Sequence, residues 1–122
     1  MRQPDIEIYI KDAHLAKVST WLETSLNCTL KWSTKGSLSH AQGASFPISW
    51  FHKAAGSWHC LLLESDQTPW TTDLDCATAA SLALGCEVRC SPGAWEEVQG
   101  EADADRWIKV NGSETEEFIW RA

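Results

Sequence analysis

His52 and His59 stand on either side of the short segment Ala54-Ala55-Gly56-Ser57, and their types and spacing come nearest in this chain to permitting chemistry. Aromatic and aliphatic residues crowd both flanks, Phe46 to Lys53 before the segment and Trp58 to Glu64 after it. This pattern predicts two strands joined by a Gly-containing turn. A symmetric closure pairs Lys53 with Trp58 and sets His52 directly across from His59. Two opposed imidazoles have the lone pairs to hold a metal ion or relay a proton. A register slip of one residue would part them, and a metal site needs a third ligand. Cys60 points to the other side of its strand, and His40 could help only if its loop folded back. His52 and His59 are therefore the sole metal candidates, no metal site is assigned, and no cofactor is implied.

Nucleophilic catalysis finds less support. Cys28, Cys76, Cys86 and Cys90 fall at positions expected to face inward, where cysteine acts as a small hydrophobe. Cys60 adjoins His59 in the chain, but neighbouring strand residues point to opposite faces, so the imidazole cannot activate the thiol. The chain contains no Gly-rich phosphate loop, no nucleophile elbow and no His/Glu pair on one helix face. Carboxylates are plentiful, yet no spacing singles out an acid–base pair. The sequence leans away from an enzyme.

The elements that would position these residues follow from periodicity. Ile6, Ile8 and Ile10 alternate with Glu7, Tyr9 and Lys11, as in a strand with one apolar face. Asp12 is placed to cap a helix whose stripe is Leu15, Val18, Leu22 and Leu26, with Asn27 as its stop. Cys28 to Ser33 alternates again, and Thr34 to Ser45 is polar and small, a loop or a loosely paired edge. After the central hairpin, Thr72-Asp73-Leu74-Asp75 has a hydroxyl cap and first-turn acids, opening a helix that runs to Gly85. Glu87 to Cys90 is a further strand, Ser91-Pro92-Gly93 a turn and Gly100 to Asp105 an acidic loop. Arg106 to Val110 and Glu117 to Arg121 form a second hairpin around Asn111-Gly112-Ser113.

This order predicts a single α+β domain over residues 1–122, one twisted, mainly antiparallel sheet of six to seven strands with two helices on one face. A shift of 58 residues lays Leu26, Cys28 and Ser33 on Leu84, Cys86 and Ser91, so two βαβββ-like half-repeats are expected at about 5–65 and 70–122. The order resembles the paired βαβββ modules of the glyoxalase and vicinal-oxygen-chelate folds, in which metal ligands sit on the first and last strands of each module. Here those strands offer Glu7 and Tyr9, Glu64, and Glu117 and Arg121, with no histidine, so that metal pattern is not reproduced. The stretch from Glu64 to Trp70, where a second module would open, contains Pro69 and little alternation.

With both helices on the Ile6/Ile8/Ile10 side, the other face of the sheet is expected to carry the binding residues. These are Glu7, Tyr9, Lys11, Lys31 and Arg89, with the Trp50, His52 and His59 face of the central hairpin among them. Eight Trp against one Tyr and one Met point the same way, because Trp anchors interfaces as well as cores. Net charge is −7 and unevenly placed, with six Lys/Arg against five Asp/Glu in residues 1–65 and four against twelve in residues 66–122. No basic run offers itself to phosphate, so nucleic acid and anionic membrane are not expected partners. Five cysteines without a C-x-x-C, no signal-peptide core and no apolar run of about 18 residues predict a cytosolic protein with reduced thiols. The expected function is a small acidic binding module that engages a protein partner or a second copy through the helix-free face or the acidic C-terminal half. The alternative is a small-molecule binder or degenerate enzyme of the paired-module kind.

Overall fold

A computed structural model of the chain describes residues 6–11, 13–64, 68–70, 72–90 and 106–119. Strand β1 (Ile6–Lys11) leads into helix α1 (Leu15–Leu26), followed by β2 (Lys31–Lys35), β3 (Leu38–Gln42), β4 (Ile48–Ala55) and β5 (Trp58–Leu63). Helix α2 (Asp73–Leu84) then precedes β6 (Val88–Cys90), β7 (Arg106–Asn111) and β8 (Glu114–Ile119). The strands form one sheet in the order β2-β3-β4-β5-β1-β6-β7-β8, antiparallel at every junction. The class is α+β, as expected, but the sheet has eight strands rather than six to seven.

The additional strand is β3. Thr34 to Ser45, expected as a loop or a loosely paired edge, takes the second form and makes most of a hairpin between β2 and β3 at the sheet edge, turning at Gly36-Ser37. The β4–β5 and β7–β8 hairpins also turn on Gly-Ser, at Gly56-Ser57 and Gly112-Ser113. In all three the glycine has φ near +64°, at 65°, 64° and 63°, while the serine stays at negative φ. That is the pattern of a type II′ turn, whose first central position favours glycine because a Cβ there is strained. Strand β2 itself starts at Lys31, not at Cys28.

Both helices pack on the face that β1 buries. Ile8 and Ile10 are fully buried and Ile6 nearly so, while Glu7 and Lys11 are exposed. Val18 and Leu22 of α1 and Cys76, Ala77 and Ala80 of α2 share one core with these isoleucines and with Leu61, Leu63, Val88 and Val110. Each fully buried Leu or Ile contributes roughly 1.5–3 kcal/mol, so this layer dominates the stability. Helix ends follow local chemistry. Thr72 Oγ1 accepts a hydrogen bond from Asp75 N at 3.1 Å, and Asp73 and Asp75 occupy the first turn of α2. Asn27 and Gly85 close α1 and α2 in the left-handed conformation. The N-cap of α1 is His14, which makes no side-chain capping bond; Asp12, the expected cap, lies outside the described residues. So do the expected turn at 91–93 and acidic loop at 100–105. No helix among the described residues is long and apolar enough to cross a membrane.

Candidate functional site

The central hairpin keeps the expected register through most of its length, with Ile48 opposite Leu63, Trp50 opposite Leu61 and Phe51 opposite Cys60. It then slips, and Ala55 rather than Lys53 pairs with Trp58. His52, Lys53 and Ala54 thus stand against His59 alone, a bulge two residues wider than the partner strand. Lys53 adopts φ 51°, and its N–H donates to His59 Nδ1 at 2.9 Å. The imidazole thereby takes the place of a ladder carbonyl that the bulge has removed. Because the slip is by two residues, side-chain parity survives and the rings still meet. His52 and His59 stack with centroids 4.7 Å apart at 29°, and Trp50 lies on the far side of His59 at 5.0 Å and 21°.

This stack presents ring faces, not converging lone pairs, and one nitrogen of His59 already accepts the Lys53 N–H. No group of three or more His, Cys, Asp or Glu that could hold a metal occurs among the described residues. The register also corrects the expected grouping. Ile10 pairs with His59 and Ile8 with Leu61, so Trp50, His52 and His59 lie on the helix side of the sheet and not with Glu7, Tyr9 and Lys11. Trp50 and His59 are buried there, at 2% and 4% exposure, and His52 is exposed.

The opposite face, which carries no helix among the described residues, gathers a different set. Tyr9 pairs with Cys60 on one side and Arg89 on the other, and Lys11 pairs with Trp58. The Arg89 guanidinium sits 4.1 Å from the Trp58 ring centre and 4.6 Å from that of Phe118, and its Nε meets Glu87 at 3.2 Å. Lys11 approaches Trp58 at 5.9 Å and Lys109 approaches Phe118 at 5.6 Å. Tyr9 meets Trp107 edge-on, centroids 5.5 Å apart at 83°. Rings and cations therefore alternate from β5 across β1 and β6 to β8, each contact of a kind worth about 0.5–1 kcal/mol at partly exposed sites. Of the expected residues, the structure brings Glu7, Tyr9, Lys11 and Arg89 together. Lys31 shares the face but lies on the outer strand β2, across β3, β4 and β5 from them.

Trp58, Trp107, Lys109 and Phe118 were not among the expected residues. Parity could have found Trp107 and Lys109, which alternate with the buried Ile108 and Val110, whereas Trp58 is placed only by its pairing with Lys11. Under this layer Cys60 Sγ donates to Glu7 Oε2 at 3.8 Å. Burial first, and the Glu7 charge second, push the Cys60 thiol up to about 12; burial, with Cys60 and Glu7, does the same for the Tyr9 phenol. Both groups stay protonated at neutral pH, so Cys60 is not a nucleophile there.

A cleft of about 460 Å³ lies away from both sets, lined by Leu26, Cys28, Phe46 and Pro69 with three serine and threonine hydroxyls and no charged side chain among the described residues. No protein-family model, no curated protein and no solved structure matches this chain.

Proposed function

We propose that the chain is a binding module whose helix-free sheet face engages a protein partner. The observation that carries this reading is the cation–ring layer on that face. Lys11, Lys31, Lys35, Arg89 and Lys109 stand there with Glu7, Glu87, Glu114 and Glu116, so that cations and carboxylates come close to balance on this face in a chain whose net charge is −7. Half-buried rings held edge-on or under guanidinium groups supply large contact area at little cost in side-chain entropy, and the cations supply orientation and on-rate. The five cysteines are free thiols, which fits our placement of the protein in a reducing compartment such as the cytosol.

The half-repeat belongs to this reading as well. The two helices have 12 residues each and end in left-handed Asn27 and Gly85. A paired ancestry accounts for that agreement, although β2 lies at the sheet edge and β6 beside β1.

Affinity capture with the immobilised chain tests the proposal. Wild type and Lys17→Glu, which reverses an exposed charge on α1, should retain the same protein, and Lys11→Glu/Lys109→Glu should release it. Retention by the double variant, or loss with Lys17→Glu, would sink the assignment of this face.

A further inference from the structure

The two outermost strands carry opposite charge. Strand β2 holds Lys31 and Lys35 and no carboxylate; β8 holds Glu114, Glu116 and Glu117 and no cation. All of these side chains are exposed. Among the described residues Lys31, Lys35 and Glu114 have no ion-pair partner, and Glu116 has only the 3.8 Å contact with Lys109. Neither strand contains a proline, a glycine or a bulge. Edge strands offer unpaired backbone groups, and charge is the usual guard against their joining. Here the guard is selective, because two β2 edges repel and two β8 edges repel, but β2 and β8 attract.

Topology permits the unlike pairing. Every junction in the eight-stranded sheet is antiparallel, so β2 and β8 run in opposite directions. A second copy displaced along the sheet presents its β2 antiparallel to the first copy's β8, with the helices of both on the same side. We propose that this chain associates head to tail with further copies of itself through β2 and β8, extending one sheet across the junction.

Placing Lys35 opposite Glu114 puts Lys31 opposite Phe118, Thr34 opposite Thr115, and Glu116 diagonal to both lysines, within reach of long side chains. The interface is heterologous, so growth is open-ended, and the twist of the sheet winds it into a ribbon. The overall charge of −7 opposes association, but at ionic strength about 0.1 M charges farther apart than roughly 10 Å are screened while contacting pairs persist. This inference does not depend on the partner proposed for the helix-free face.

Sedimentation velocity over a roughly hundredfold dilution series tests it, run at about 0.1 M and again at about 0.5 M salt. Wild type should sediment faster as concentration rises at the lower salt, and less so at the higher. Lys31→Glu/Lys35→Glu has two acidic edges and Glu114→Lys/Glu116→Lys two basic ones, so each alone should be monomeric. Their equimolar mixture should associate again, which also shows that both variants fold. A wild type that stays monomeric, variants that associate as wild type does, or a mixture that fails to restore association would each overturn the proposal.

Discussion

The two faces of the sheet are covered by different chemistry. On the helix side, Ile8, Ile10, Leu61, Leu63, Val88 and Val110 are fully buried and meet Val18, Leu22, Ala77 and Ala80 of the helices. On the other side, exposed Glu7 and Lys11 and half-buried Tyr9, Arg89, Trp107 and Phe118 surround the buried Trp58 and Cys60. Aliphatic packing excludes water and defines the fold; the ring–cation layer keeps polar groups at the surface, where they can be exchanged for those of another molecule. Side-chain parity alone thus gives stability to one face and leaves the other for the recognition proposed above.

Substitutions on the two faces should therefore separate. Trp50→Ala empties a core site that packs on His59 and should cost about 3–5 kcal/mol in urea unfolding. Trp107→Ala, on the other face, should cost only about 1 kcal/mol, since it removes a half-buried ring and one edge-on contact. Equal costs would erase the distinction.

Alkali should act on both faces. Burial holds the thiols of Cys60 and Cys90 up at about 12 and that of Cys76 well above its ordinary value. In the unfolded chain these thiols lose their protons near the ordinary value of 9.0, so between there and about 12 the unfolded state binds fewer protons than the folded one. Stability from this source is complete below pH 9 and falls as pH rises through the window. The urea midpoint should drop from about pH 9 upward, and Cys60→Ala should make that slope shallower.

His59 is the polar exception on the helix side. His59→Leu leaves the Lys53 N–H without its acceptor and should cost about 1–3 kcal/mol. Lys53→Gly keeps that bond and relieves a left-handed residue, so it should be neutral or stabilising by up to about 1 kcal/mol. If His59→Leu were neutral, the imidazole would not be what holds the bulge. The smallest effect belongs to Lys11→Glu, whose stability should stay within about 0.5 kcal/mol of wild type because the group is exposed.

Much of the fold is legible in the sequence because local signals and burial agree. Ile6, Ile8 and Ile10 announce β1, Thr72 and Gly85 bracket α2, and Asn27 ends α1. Strand β3 is not, because Ser39, Ala41 and Gln42 are small or polar; only Gly36-Ser37, matching the two turns that are legible, marks it. The site is legible in half. Glu7, Tyr9, Lys11 and Arg89 follow from clean alternation. The central hairpin is apolar at consecutive positions, so its two faces cannot be told apart until the pairing of Ile8 with Leu61 is known. The bulge depends on a side chain accepting a backbone bond, which no local pattern records.

The most direct test of the helix-free face as the binding surface is side-chain oxidative footprinting of the chain with and without the protein it captures. Tyr9, Trp107 and Phe118 should become protected while Trp21 and Leu82 on the helices keep their reactivity. Protection of Trp21 and Leu82 with no change at Tyr9, Trp107 and Phe118 would contradict the account.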